Sequence, residues 1–274
     1  MDADLVETQR ADPVVTVTMN DPRRLNGWTR EMQEAIGRAL AAAAADPDIG
    51  AVILTGTGRY YSAGVNLSGA LAPAHPRTFR RLARDANYQL FDRFIQFPKP
   101  ILAAVNGPTI GAATTTAVLC DAILASEEAT FSTPFHRVGL PPEGCSSVLF
   151  PRLFGEEAAE RMLGREGWKP SAAQALEIGL AKEVLAPEAL LPRAQELAAQ
   201  WVAEGRPRTI RGGLPKEELE RINAEESEGV ADGLLSASFL MGQYRFLRSR
   251  KKYGPAMTFL ALRATRPLWG QMLR

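Results

Sequence analysis

The sequence predicts an α/β protein with a helical carboxyl-terminal region. Three observations carry this. Short runs of β-branched or small apolar residues alternate with segments of helical periodicity. Two of these runs end in turns of small residues, at the strand ends where ligands of open α/β sheets bind. From Leu153 onward the pattern is helical. Strands that alternate with helices build a largely parallel sheet.

Val14 to Met19 (VVTVTM) reads as the first strand, and Asn20-Asp21-Pro22 breaks it. A helix follows from Thr29, with Met32, Ile36, Ala39 and Leu40 at helical spacing and Thr29 as its N-cap. Met32 stands where a capping box would have Glu. Ala51 to Leu54 (AVIL), Ile101 to Val105 (ILAAV) and Ala122 to Ala125 (AILA) are short buried strands. Beyond Leu153, helices are expected over Glu156 to Leu163, Ser171 to Ile178, Pro187 to Ala203 and Glu217 to Arg250. This gives a core over 1–204, a helical region over 205–252 and an apolar, basic tail over 253–274, with Gly205 to Pro215 as the linker.

Composition removes several function classes. The 274 residues carry 32 Lys and Arg against 31 Asp and Glu, so no nucleic-acid partner is expected. With two His (His75, His136) and two Cys (Cys120, Cys145), neither a metal site nor a disulfide framework is expected. The amino-terminal MDADLVETQR lacks a signal peptide's apolar core, and no run approaches a membrane span. Met272-Leu273-Arg274 is not Ser-Lys-Leu, so the location expected is cytoplasmic. The tail leaves a membrane-surface or partner role open beside packing on the body or on a neighbouring copy.

Several motifs are decoys. Thr55-Gly56-Thr57-Gly58 would need Gly at Tyr61 to complete a dinucleotide loop. Ser62 lies in an incomplete nucleophile elbow and has few histidines to draw on. Arg77, Arg80, Arg81 and Arg84 read as a solvated helix face.

The remaining signal lies in three segments. Tyr61-Ser62-Ala63-Gly64-Val65-Asn66-Leu67 follows AVIL, and Asn106-Gly107-Pro108-Thr109-Ile110-Gly111-Ala112-Ala113 follows ILAAV. Each turn presents backbone N–H groups, and two such donors aimed at one point make an oxyanion hole. The third segment runs from Ser132-Thr133-Pro134-Phe135 to Pro141-Pro142-Glu143-Gly144-Cys145 and places one Glu before an apolar helix start. Read alone, that Glu is either an acid–base group or a carboxylate placed by the helix dipole.

In this order and spacing, the segments resemble the crotonase (enoyl-CoA hydratase/isomerase) superfamily over about Val14 to Lys252. The third is similar to the Δ3,Δ2-enoyl-CoA isomerase branch of peroxisomal type, as are Asn223-Ala224-Glu225-Glu226 and the run ending Phe246 to Arg250. The resemblance implies a crotonase-like spiral of ββα units, assembled as a homotrimer or dimer of trimers. It implies an acyl-CoA thioester as substrate and no cofactor. It further implies Glu143 as acid–base and the amides of Ala63 and Ala112 as oxyanion donors. Substrate contacts are implied for Arg23, Arg24, Leu25, Ser62, Gly64, Val65, Asn66, Leu67, Gly111, Phe135 and Pro142. Phe135, Phe150 and Phe94 are candidate pocket walls.

Hydratases of the superfamily use two glutamates, and the corresponding positions here hold Thr115 and Phe135. The resemblance therefore implies a single-Glu proton shuttle that moves a 3-enoyl-CoA double bond to the 2-position. A hydratase or other crotonase-type lyase, and a non-catalytic acyl-CoA binder, stay open. Asn66 replaces the family's Asp, and Gly-Ala-Ala replaces its Gly-Gly-Gly. Coenzyme A is polyanionic, so its charges need local cations; Arg23, Arg24, Arg77 to Arg84, Lys251 and Lys252 are the candidates.

Overall fold

The computed structural model describes residues 4–65 and 75–273. In chain order the elements are β1 (Val6–Ala11), β2 (Val14–Met19), α1 (Arg30–Ala45), β3 (Ala51–Gly56), α2 (Pro76–Gln96), β4 (Ile101–Val105), β5 (Thr109–Ile110), α3 (Ala112–Val118), β6 (Ala122–Ser126), β7 (Phe131–Ser132), α4 (Phe135–Val138), α5 (Ser146–Phe154), α6 (Glu156–Leu163), α7 (Ala172–Glu177), β8 (Glu183–Leu185), α8 (Pro187–Ala203), α9 (Lys216–Leu234), α10 (Ala237–Ser249) and α11 (Tyr253–Trp269).

One sheet has the order β1-β2-β3-β4-β6-β8, antiparallel at β1/β2 and parallel elsewhere. A short parallel pair, β5/β7, forms the second sheet. The period-2 alternation of the strands sorts their side chains. Val14, Ala51, Ile53, Leu102 and Leu124 meet Leu190, Leu197 and Trp201 of α8. Val15, Val17, Val52, Leu54 and Ala103 join the main core, with Met32, Ile36 and Leu40 of α1. Both faces are covered, so the inner strands read as unbroken apolar runs. Thr29 caps α1 by accepting the Met32 amide at 3.3 Å, a contact worth about 1 kcal/mol.

The structure adds the short strands β5, β7 and β8 to the sequence reading and corrects it at β1 and in the carboxyl-terminal helices. The polar stretch Val6–Ala11 forms edge strand β1, exposed over nearly its whole length, so no apolar alternation marked it. The single helix expected over Glu217 to Arg250 is two helices, broken at Leu235 and Ser236, where Ser236 accepts the Phe239 amide as N-cap of α10. The Gly205 to Pro215 stretch is irregular, yet Arg208 ties it down through a buried ion pair with Asp121 at 2.6 Å. The tail forms α11, which returns along α10 and buries Ala256 and Phe259 beside Phe239 and Leu247. Tyr253, Met257 and Leu268 stay exposed.

Candidate active site

The two small-residue turns are zipped together. The Ile110 amide donates to the Ser62 carbonyl at 3.1 Å, and the Ser62 amide to that of Pro108 at 3.4 Å. Glycine is required where they touch. A Cβ on Gly64, whose φ is +74°, would stand 2.2 Å from the Ile110 oxygen and 3.9 Å from the Ala112 nitrogen. Ser62 is wholly buried; its hydroxyl donates to the Asn26 carbonyl at 2.7 Å and accepts the Gly64 amide at 3.0 Å. It braces the turn and is not exposed as a nucleophile.

These bonds decide which amides are committed inside the fold. The Ala63 N–H donates to the Leu25 carbonyl at 2.9 Å, which corrects its expected role: an amide committed inside the fold is not free for an oxyanion. The amides of Ile110 and Gly111 are likewise taken, the latter by Ser132 at 2.7 Å. Among the described residues, the amides of Val65 and Ala112 find no internal acceptor, and both residues line the cavity. Ala112 is the first residue of α3, where amides have no partner in their own helix. Residues Asn66 and Leu67 lie outside the described residues.

Glu143 reaches the cavity from the loop between α4 and α5 and is 9% exposed. Gly144 (φ +68°) and Cys145 (φ +62°) turn the chain into α5, and a Cβ on Gly144 would stand 2.5 Å from the Phe91 ring. Asn87 of α2 donates its side-chain N–H to Glu143 Oε2 at 2.7 Å, and Ser227 of α9 donates to Asn87 Oδ1 at 2.9 Å. Burial pushes the Glu143 carboxyl up to about 7; the Asn87 bond lowers it, and the nearby charge of Glu226 raises it.

The alternative for Glu143, a carboxylate stationed at a helix amino terminus, is filled by another residue. Glu226 of α9 accepts the amides of Cys145 and Ser147 at 2.6 and 2.9 Å at the start of α5. The Glu143 carboxylate is thereby left to the cavity.

That cavity measures about 880 Å³. Its lining includes Thr29, Arg30, Glu31 and Glu34 from α1 and its cap, and the apolar Phe79, Leu82, Ala83, Leu140, Val230 and Leu234. Of the residues expected to contact substrate, Gly111, Phe135 and Val65 line this cavity and Pro142 does not. Phe150 and Phe94 are not walls: Phe150 packs edge-on against Phe154, and Phe94 stacks on Trp28 inside the core. Arg23, Arg24 and Leu25 are not among the residues that line the cavity, although the Leu25 carbonyl holds Ala63, which does. Arg80 pairs with Glu228 and Asp232, and Arg84 with Asp85 and Glu228, so these two cations join α2 to α9. Among the described residues no cluster is arranged to hold a metal, and no helix is long and apolar enough to cross a membrane.

Asn87, Glu226 and Ser227 escaped the sequence reading as site residues. Asn87 lies in a helix between motifs with no local signature. Glu226 falls inside the Asn223-Ala224-Glu225-Glu226 segment, but its contact spans 81 residues of chain.

Comparison with known proteins adds the following. Residues 9–211 match the family profile described as Enoyl-CoA hydratase/isomerase. Human "Enoyl-CoA delta isomerase 2" is 34% identical over 250 residues, covering 88% of this chain and 62% of that protein. The chain therefore spans less than two thirds of that relative's length. Mouse "Enoyl-CoA delta isomerase 3, peroxisomal" is 31% identical over 252 residues, covering 88% of this chain and 77% of that protein. A mouse "Chromodomain Y-like protein" is 35% identical over 234 residues, covering 82% of this chain and 39% of its own. Among solved structures, an enoyl-CoA hydratase/isomerase from Pseudoalteromonas atlantica T6c superposes with a TM-score of 0.77 at 28% identity, over 89% of this chain and 97% of that one.

Proposed function

The chain belongs to the enoyl-CoA hydratase/isomerase family, and from that premise we propose that it shifts the double bond of a 3-enoyl-CoA to the 2-position. The observation that carries the reading is one buried carboxyl, Glu143, that lines the same cavity as Val65 and Ala112, whose amides find no acceptor among the described residues. In this reading the thioester oxygen accepts both amides. Ionised Glu143 takes a proton from C2, and the electron pair moves into the dienolate, with negative charge on the thioester oxygen. The conjugate acid returns the proton at C4 as the double bond forms between C2 and C3. Each amide supplies on the order of 3 kcal/mol to the charged state. A base with affinity near neutrality both takes and returns a proton readily, which the burial of Glu143 supports.

Two-carboxylate hydration finds less support. Thr115 is wholly buried with its hydroxyl donating to the Ala112 carbonyl at 3.2 Å, and Phe135 presents a ring. The test is Glu143→Gln, which keeps an acceptor for Asn87. Isomerisation of 3-hexenoyl-CoA is expected to vanish while the variant stays folded; retained turnover sinks the reading. Loss of crotonyl-CoA absorbance with the wild type would favour hydration instead. Tight coenzyme A binding with no turnover of either thioester would favour a binding protein. The same reading carries a homotrimer or dimer of trimers, checked by light scattering.

A further inference from the structure

We propose that helix α9 positions the base: its consecutive residues Glu226 and Ser227 hold Glu143 from two sides, one through the backbone and the other through Asn87. The inference rests on the isomerase reading above.

The sequence pattern of α9 is the first support. Asn223, Glu226, Ser227 and Val230 follow the i, i+3, i+4, i+7 spacing of one helix face. All are buried, yet three are polar: Asn223 and Ser227 are 0% exposed and Glu226 is 8%. A buried polar stripe costs free energy unless each group is bonded, so its partners matter. None of the three lines the cavity, so each acts through a neighbour.

Those partners converge on Glu143. Ser227 donates to Asn87 Oδ1, which leaves the Asn87 N–H side facing Glu143 Oε2. A flipped amide would set its oxygen against the carboxylate and lose the bond to Glu143. Asn223 donates to the Tyr88 carbonyl at 3.0 Å and so fixes α2 in register beside Asn87. On the other side, Glu226 grips the amides two and four residues after Glu143, and the Ser146 hydroxyl closes onto the Glu143 carbonyl at 2.7 Å. Burial pushes the Glu226 carboxyl up, and the Cys145 and Ser147 bonds at the helix start act against that rise by favouring its charged form.

The charges around Glu143 give the two residues opposite signatures. Glu226 is the charge that acts on it from α9. On α2 the cavity wall carries Asp85, paired with Arg84, and Arg93, which donates to the Gln33 carbonyl. On α1 it carries Glu31, and Arg30 paired with Glu34. The adjoining Cys145 thiol is pushed up by burial. Loosening Asn87 removes a bond that favours ionised Glu143, while neutralising Glu226 removes a charge that disfavours it.

The experiment combines kinetics on 3-hexenoyl-CoA with a ¹³C NMR titration of the Glu143 carboxyl, assigned through Glu143→Gln. In Ser227→Ala, kcat is expected to fall about tenfold with KM held within about twofold, and the titration midpoint to move to higher pH. Ser227→Thr, which keeps the hydroxyl, is expected to restore both. In Glu226→Gln the midpoint is expected to move to lower pH; should that variant not fold, the two Ser227 variants decide alone. Identical kcat and midpoint in Ser227→Ala and wild type, or movement of both variants' midpoints in one direction, overturns the inference. A wild type inert on 3-hexenoyl-CoA refutes the isomerase reading instead, and the titration still decides whether α9 positions Glu143.

Discussion

Asn87 donates to Oε2 of Glu143 at 2.7 Å, and this is the hydrogen bond that holds the buried carboxyl in the cavity. One bond does not offset the loss of water around a charged group that is 9% exposed. The balance of burial over bonding sets the proton affinity of Glu143, and it has consequences that can be measured.

Stability should depend on pH through this group. Its carboxyl rises from 4.5 to about 7 on folding, so between these values the folded protein binds the extra proton. The group's contribution is therefore present below about 4.5 and lost as pH climbs through about 7. Glu143→Gln lacks this titration. Denaturant unfolding at pH 5 and pH 8 should show the variant gaining on wild type by up to roughly 3 kcal/mol at the higher pH. Parallel pH curves for the two proteins would refute the expectation.

Gly64→Ala should damage both stability and turnover. The added methyl would meet the Ile110 carbonyl at 2.2 Å in a backbone of φ +74°. The two turns must separate, and the Val65 and Ala112 amides with them. A loss of about 2 kcal/mol or more in unfolding free energy is expected, with kcat falling further than KM rises. Wild-type stability in this variant would mean that the turns are not in tight contact.

Val230→Trp should discriminate between substrates by length. Val230 lines the cavity and packs in one apolar cluster with Phe79, Leu140 and Leu234. A larger ring there is expected to lower kcat/KM about tenfold more for a long 3-enoyl-CoA than for a short one. Equal losses across chain lengths would move the acyl chain to another wall.

Arg208→Met should expose the strength of the segment after α8. The Arg208 guanidinium donates to Asp121 and to the carbonyls of Phe94 and Leu119, and Asp121 itself is fully buried at its side chain. Removing the cation leaves that carboxylate, among the described residues, with the amides of Ile101 and Thr209. A cost of about 3–5 kcal/mol is expected by chemical denaturation. A change within 1 kcal/mol of zero would show that the amides alone satisfy Asp121.

The inner strands β2, β3, β4 and β6 were legible because apolar runs such as AVIL and ILAAV are local facts, and so were helices α6 and α8 with their clear periodicity. Edge strand β1 was not, because an exposed strand needs no apolar pattern. The break between α9 and α10 was missed because Leu235 continues the apolar periodicity, and Ser236 reveals itself as a cap only through the Phe239 amide. Ala63 was misread for a similar reason: the amide's partner, the Leu25 carbonyl, lies 38 residues earlier in the chain.

By itself the sequence determined the α/β class, the two glycine-bearing turns and the presence of one carboxyl among small residues before α5. These follow from properties carried by neighbouring residues: periodicity, β-branching, glycine's tolerance of positive φ. The tertiary structure alone decided which turn amides are bonded inside the fold, which glutamate caps α5 and which lines the cavity, and that α9 reaches Glu143 through Asn87. Each of these is a hydrogen bond between segments tens of residues apart, and such partners are chosen only when burial brings the segments together.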